Sequence, residues 1–221
     1  NVFYKNGVRT KNMTNYAEQV ANDLLAIGAV KFSPESPFTW ASGIKSPIYT
    51  DNRMTIGFPA VRQNIFKGLA ELIQSYYPDA DIIGGVATAG IPHAAWVAEG
   101  LDKPMIYVRS KPKDHGAGRQ TEGAEVKGKN VVLIDDLIST GGSVLGAVKA
   151  VRQEGANVLG VVSIFSYELP AGIANFSAEN LTFQSLTTYS QLVHAAIARG
   201  DLNQSQLATL TDWQKSPETW A

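Results

Sequence analysis

The chain has 221 residues, 44% of them hydrophobic, which is enough for one complete core with a subdomain but excludes two large independent domains at about 100–200 residues each. Its 19 basic and 20 acidic side chains nearly cancel, which excludes nucleic-acid binding through an overall field and makes any anion site local. The absence of cysteine removes disulfides, thiolate nucleophiles and cysteine-ligated zinc, three scattered histidines make a poor metal cage, and no apolar run nears the roughly 18 residues of a membrane span, so a soluble, cytoplasmic protein is expected.

Residues 1–12 precede the first methionine, Met13, and are expected to be an added or disordered leader. Asn15 with Glu18 reads as a helix N-cap and its reciprocal acid, and Val20, Ala21, Leu24 and Leu25 then recur on one face until Gly28. Residues 33–47 are rich in Ser, Pro and Gly with interleaved aromatics, a pattern of short strands and turns outside a main sheet. Residues 13–58 are therefore read as an N-terminal helix and a small lobe. Taken alone, Trp40 and Tyr49 in that lobe read as core aromatics.

From Pro59 a helical pattern through Val61, Ile65, Leu69, Leu72 and Ile73 leads to an apolar strand at 82–86. A helix at 92–101 and strands at 105–108, 130–134 and 157–165 follow, with a further helix beyond Gly142. Continuous apolar strands between amphipathic helices predict a parallel sheet covered on both faces over residues 59–200, with ligands at the carboxyl ends of its strands. Residues 201–221 are assigned to a C-terminal helical segment without a functional signal.

After the strand at 130–134 the chain reads Asp135-Asp136-Leu137-Ile138-Ser139-Thr140-Gly141-Gly142-Ser143 and enters a helix. Two glycines let main chain approach a phosphate, amides and the positive helix end attract its charge, and Ser139, Thr140 and Ser143 offer hydroxyls. The two carboxylates would be repelled by that phosphate, but a sugar diol can donate to them. Together the parts describe a ribose-5-phosphate site. A serine-rich turn behind helix-capping acids would account for the pieces separately, not for the nine residues as a set.

This segment resembles the phosphoribosyl pyrophosphate (PRPP) signature of the type I phosphoribosyltransferases. The 109–123 segment, with Arg109, Lys113, His115 and the Glu122-Gly123 pair, is similar to the mobile catalytic loop of the orotate-specific members. Residues 38–49, carrying Phe-Thr, Ser-Gly, Lys-Ser-Pro and an aromatic, look like their N-terminal hood, and residues 84–92 like their pyrophosphate loop. The resemblance implies an α/β type I phosphoribosyltransferase fold with a hood subdomain, and transfer of ribose 5-phosphate from PRPP to orotate. It also implies Mg2+ held mainly by substrate and water, and a homodimer whose loop reaches across the interface, with no nucleic acid or membrane partner.

Carried over residue by residue, Arg109, Lys113, His115 and the whole stretch from Asp135 to Ser143 bind PRPP. Lys113, His115 and Asp136 are catalytic, and Ser139 and Tyr49 contact orotate. Some relatives carry a lysine where this chain has Ala41 and an arginine where it has Tyr167, so Arg53 is the expected replacement cation for the orotate carboxylate. Ser110 and Ala89 also replace lysines seen in relatives. A purine phosphoribosyltransferase would keep the PRPP turn without this hood and loop, and a regulator that has lost catalysis fits poorly with near-neutral charge and a complete basic loop.

Overall fold

The computed structural model describes residues 11–40, 43–112 and 119–220. The chain opens with helix α1 (Lys11–Ala26), so the first helix starts ahead of the expected cap at Asn15 and includes the last two residues assigned to a leader. Strands β1 (Val30–Phe32), β2 (Phe38–Thr39), β3 (Lys45–Ser46) and β4 (Ile48–Thr50) then build the hood. They form two separate antiparallel ladders, β1 with β4 and β2 with β3. A 3₁₀ segment, Asn52–Gly57, leads from the hood into α2 (Pro59–Tyr76), which has proline in its first turn, where a missing N–H costs nothing.

The core follows as β5 (Ile82–Val86), α3 (Gly90–Gly100), β6 (Met105–Val108), β7 (Thr121–Gly123), β8 (Asn130–Ile138), α4 (Gly142–Gln153), β9 (Asn157–Ser166), α5 (Pro170–Ala178), β10 (Phe183–Thr188), α6 (Tyr189–Arg199) and α7 (Gln204–Lys215). Six of these strands form one sheet in the order β10-β9-β8-β5-β6-β7, parallel except for β7 on β6. That edge strand lies inside the segment read from sequence as one uninterrupted loop, which corrects its length. β8 is also longer than expected: the two acids continue its extended backbone instead of opening a turn.

Strand periodicity explains the two-sided core. Along β8, Val132 and Ile134 point into the cluster under α1, α2, α3 and α6, whereas Val131 and Leu133 point into the cluster under α4. α1 packs on α2, α6 and β10, so it belongs to the sheet's covering layer and not to the hood with which it was grouped. β5 and β8 lie side by side, yet α3 leaves β5 on one face and α4 leaves β8 on the other. The crevice between such diverging connections is where doubly wound sheets hold ligands.

One buried group in α3 carries a stability prediction. His93 is 1% exposed, its ring edge-on to Trp96 at 5.4 Å, and neither ring nitrogen has a hydrogen-bond partner among the described residues. Burial pushes its pKa down to about 4. The unfolded chain takes up a proton below about pH 6.5 while the fold does not, so this residue costs stability increasingly as pH falls from about 6.5 to about 4. His93→Leu is expected to raise stability by about 1–3 kcal/mol, more at pH 5 than at pH 7.5, as read from urea midpoints. An equal gain at both pH values would show that the imidazole does not enter the fold neutral.

Candidate active site

The carboxyl ends of β5 and β8 carry the groups singled out from sequence. Asp135, on the central strand β8, is only 8% exposed, and its Oδ1 accepts the Asp136 amide at 2.9 Å. Burial, then the neighbouring Asp136 charge, pushes Asp135 up to about 8; burial also raises Asp136. Two carboxyls withdrawn from water with no cation bonded to them among the described residues are costly to ionise, and hydroxyl donors or a cation would relieve that cost.

The turn beyond them is open. Ser139 and Thr140 are half-buried, and Gly142 and Ser143 are exposed at the start of α4. Gly141 sits at φ +80° as the N-cap, a left-handed conformation that favours glycine, and a Cβ there would lie 2.8 Å from the Phe176 ring. With no side chain capping this end, the first amides of α4 are directed at whatever occupies the turn. α5 supports the turn from below: Asn175 Nδ2 donates to the Thr140 carbonyl at 2.9 Å. Leu137 packs on the core and Ile138 is buried, so they offer a ligand main chain only, and the Ile138 carbonyl already accepts the Tyr167 amide at 2.9 Å.

Across the crevice, residues 87–89 link β5 to α3 through a cis Ala87–Thr88 peptide, and Ala89 caps α3 without a side-chain bond. This places a second uncapped helix start beside the acid pair. Gly90 lets α3 seat there, since a Cβ on it would overlap the Ile134 carbonyl oxygen and lie 3.3 Å from Asp135 Cα.

The hood places Tyr49 outward: it is 42% exposed, 5.8 Å from the Phe38 ring, whereas Trp40 joins the core by packing on Tyr167 at 5.0 Å. The two aromatics that looked alike in sequence therefore have different surroundings. Asn52, buried, donates from Nδ2 to the Asp136 carbonyl at 2.8 Å, which ties the hood's exit to the acid strand; sequence reading missed it because its partner lies 84 residues away. Arg53 stands near enough to Tyr49 and Asp136 to feel both, but its Nε and Nη2 are engaged by the Asp51 carboxylate at 2.7 and 3.0 Å. A substrate carboxylate would have to share or displace that bidentate pair.

Arg109, at the end of β6, lies 3.8 Å from Glu122 and is partly exposed. The stem of its loop is closed by Arg109 N–H donating to the Gln120 carbonyl, and by Glu154, just past α4, which accepts from the Gln120 and Thr121 amides and the Thr121 hydroxyl. Glu154 gave no signal in sequence. Lys113 and His115 lie outside the described residues, as does Ala41.

An acid pair on a central parallel strand, followed by an uncapped glycine turn onto a helix and faced by a second helix start, defines a type I phosphoribosyltransferase. The Phosphoribosyl transferase domain family matches residues 60–173. Orotate phosphoribosyltransferase of Enterococcus faecalis is 54% identical over 208 residues, covering 94% of this chain and 99% of that protein. That of Levilactobacillus brevis is 58% identical, covering 92% of this chain and 97% of that protein. The crystal structure of orotate phosphoribosyltransferase from Aeropyrum pernix superposes with a TM-score of 0.69 at 27% identity, over 83% of this chain and 99% of that one. The chain belongs to the orotate phosphoribosyltransferase family.

Proposed function

We propose that the chain transfers ribose 5-phosphate from PRPP to orotate, releasing pyrophosphate and forming orotidine 5'-monophosphate for pyrimidine biosynthesis. The observation that carries this reading is the pair of buried Asp135 and half-buried Asp136 on a strand that leads through Ser139, Thr140 and Gly141 into the uncapped start of α4. Carboxylates accept from a ribose diol, and amides donate to its 5-phosphate. A phosphorylated sugar satisfies both.

In this reading the amides of 139–143 and the hydroxyls of Ser139, Thr140 and Ser143 hold the 5-phosphate. The start of α3 and Arg109 hold the diphosphate. Asp135 and Asp136 fix the diol and oppose positive charge growing on the sugar ring as the bond to the leaving group lengthens. Lys113 and His115 stabilise the departing diphosphate, and closure of their loop keeps water from the reactive sugar. Tyr49 lies along the pyrimidine face, Ser139 contacts its polar edge, and Arg53 meets the carboxylate by sharing its pairing with Asp51. No covalent nucleophile is required.

No group of three metal-ligating side chains occurs among the described residues, yet one buried and one half-buried carboxyl, both with raised pKa values, suit a cation that arrives on its substrate. Mg2+ is such an ion, because it keeps most of its water and leans on phosphate oxygens; when bound it supplies positive charge to the diphosphate. No helix among the described residues is long and apolar enough to cross a membrane, in keeping with a cytoplasmic enzyme. A homodimer with the basic loop contributed across the interface completes the proposal.

The test is loss of orotate absorbance with PRPP and Mg2+, repeated with Lys113→Ala and with hypoxanthine or uracil as the base. Mg2+-dependent consumption of orotate alone, slowed about 100-fold or more by the substitution, is expected. Tight PRPP binding without orotate turnover would move the assignment to another base.

A further inference from the structure

Among the described residues the hood has no main-chain ladder to the six-stranded sheet: β1 pairs with β4 and β2 with β3. Side chains must therefore fix where β4, and with it Tyr49, stands relative to Ser139. Much of that fixing comes from the C-terminal segment, in which sequence reading found no function.

Trp213 of α7 is fully buried, and its indole N–H donates to the Lys45 carbonyl of hood strand β3 at 2.8 Å, across 168 residues of chain. Its ring stands edge-on to Trp40 of the hood at 5.6 Å and within 5.9 Å of Tyr167 and 5.5 Å of Tyr189. α7 is in turn held to the core: the Tyr189 hydroxyl donates to the Leu210 carbonyl at 2.9 Å and Gln214 Nε2 to the Tyr167 carbonyl at 3.2 Å. Tyr167 closes the ring of contacts. Its hydroxyl donates to Thr50 Oγ1 at 3.1 Å, beside Tyr49, while its amide is bonded to Ile138, the residue before Ser139.

We propose that α7 is a latch that sets the hood over the PRPP turn, with Trp213 and Tyr167 as positioning residues for the base-binding strand. The latch gives a reason for the reciprocal Asn203–Gln206 box that caps α7, since a frayed α7 would release the hood. It also accounts for Tyr167, because where some relatives place a cation this chain places a hydroxyl that orders β4. The ring of contacts meets the PRPP turn only through main chain, at the Tyr167 amide on the Ile138 carbonyl, which side-chain substitutions leave in place, so the side-chain latch bears on the base and not on PRPP.

The inference rests on the reading that Tyr49 faces orotate. Tyr167→Phe drops only the hydroxyl, whereas Trp213→Phe keeps an aromatic ring but loses the N–H and part of the buried indole's volume; both variants are expected to fold. Tyr167→Phe should raise the Michaelis constant for orotate about 3–10-fold, the worth of one hydrogen bond, Trp213→Phe should raise it at least as much, and both should leave that for PRPP within about twofold. Thr50→Val added to Tyr167→Phe should change nothing further, because both remove the same bond. Unchanged orotate constants, or orotate and PRPP constants rising together, would overturn the latch. If the unmodified enzyme does not consume orotate, the functional reading fails instead, and the two failures are thereby distinguished.

Discussion

Asp135→Asn is expected to stabilise the unliganded protein while lowering kcat/KM about 100-fold or more. The side chains are isosteric, and the asparagine oxygen can still accept the Asp136 amide that Asp135 Oδ1 now accepts at 2.9 Å. What disappears is a carboxyl that burial and Asp136 push up to about 8. The unfolded chain releases this proton near pH 4 and the fold only near pH 8, so the fold holds the extra proton between these limits. The stability that this carboxyl contributes to the wild-type fold therefore falls as pH rises from about 4 to about 8, then levels off. The gain from Asn should be near zero at pH 4 and grow to a few kcal/mol above pH 8, at about 1.4 kcal/mol per pKa unit. Urea unfolding across that range checks it, and a gain that shrinks with rising pH would contradict it. The loss of rate has the opposite sign because an amide neither accepts as strongly from a ribose diol nor opposes charge growing on the sugar.

The opposed effects describe how this site is built. Two acids are drawn out of water at a strand end at a cost to the empty fold, and in the proposed reaction the substrate's hydroxyls and cation relieve that cost. Asn52 Nδ2 is spent on the Asp136 main-chain carbonyl and Gly90 brings a helix start against Asp135, so among the described residues no cation is bonded to the pair in advance.

The alternation of strand and helix from residue 59 to 166 was legible because fully buried parallel strands are unbroken apolar runs. The PRPP turn was legible for a different reason: nine consecutive residues carry its chemistry, so their spacing survives without the structure. β7 was not, since three residues of Thr-Glu-Gly on an edge carry no apolar period, and Glu154, which closes its stem, lies 33 residues from Thr121. Extension of β8 through Asp135 and Asp136 was missed because acids at a strand end read as a turn. The latch was invisible for the same physical reason as Asn52. Trp213 in sequence is one apolar residue of an amphipathic helix, and only the fold brings it to Lys45. The Arg53 assignment came from counting absent cations, and nothing in the residue order hinted that Asp51, two residues before it, would occupy the guanidinium.

Gly90→Ala is expected to damage both the fold and turnover. The added Cβ would overlap the Ile134 carbonyl oxygen and press on Asp135 Cα at 3.3 Å, and both are main chain of the central strand, which cannot rotate aside. α3 must then move off β8. Its neighbour Gly85 resists that movement by tight packing of its own, with a Cβ position 2.8 Å from Ile91 Cα. Overpacking of this kind costs about 1–3 kcal/mol. The displaced element is also the helix start proposed to hold the diphosphate, and a shift of about 1 Å there is worth about 100-fold in kcat/KM. Gly146→Ala on α4 supplies the control: nothing lies within 4 Å of its Cβ position, and replacing a glycine inside a helix should add about 0.5–1 kcal/mol without touching turnover. Thermal unfolding and steady-state rates of the two variants separate the cases. A Gly90→Ala protein that melts and turns over like the unmodified enzyme would mean that α3 does not seat on β8 at the acid pair, and the diphosphate would then have to be held elsewhere.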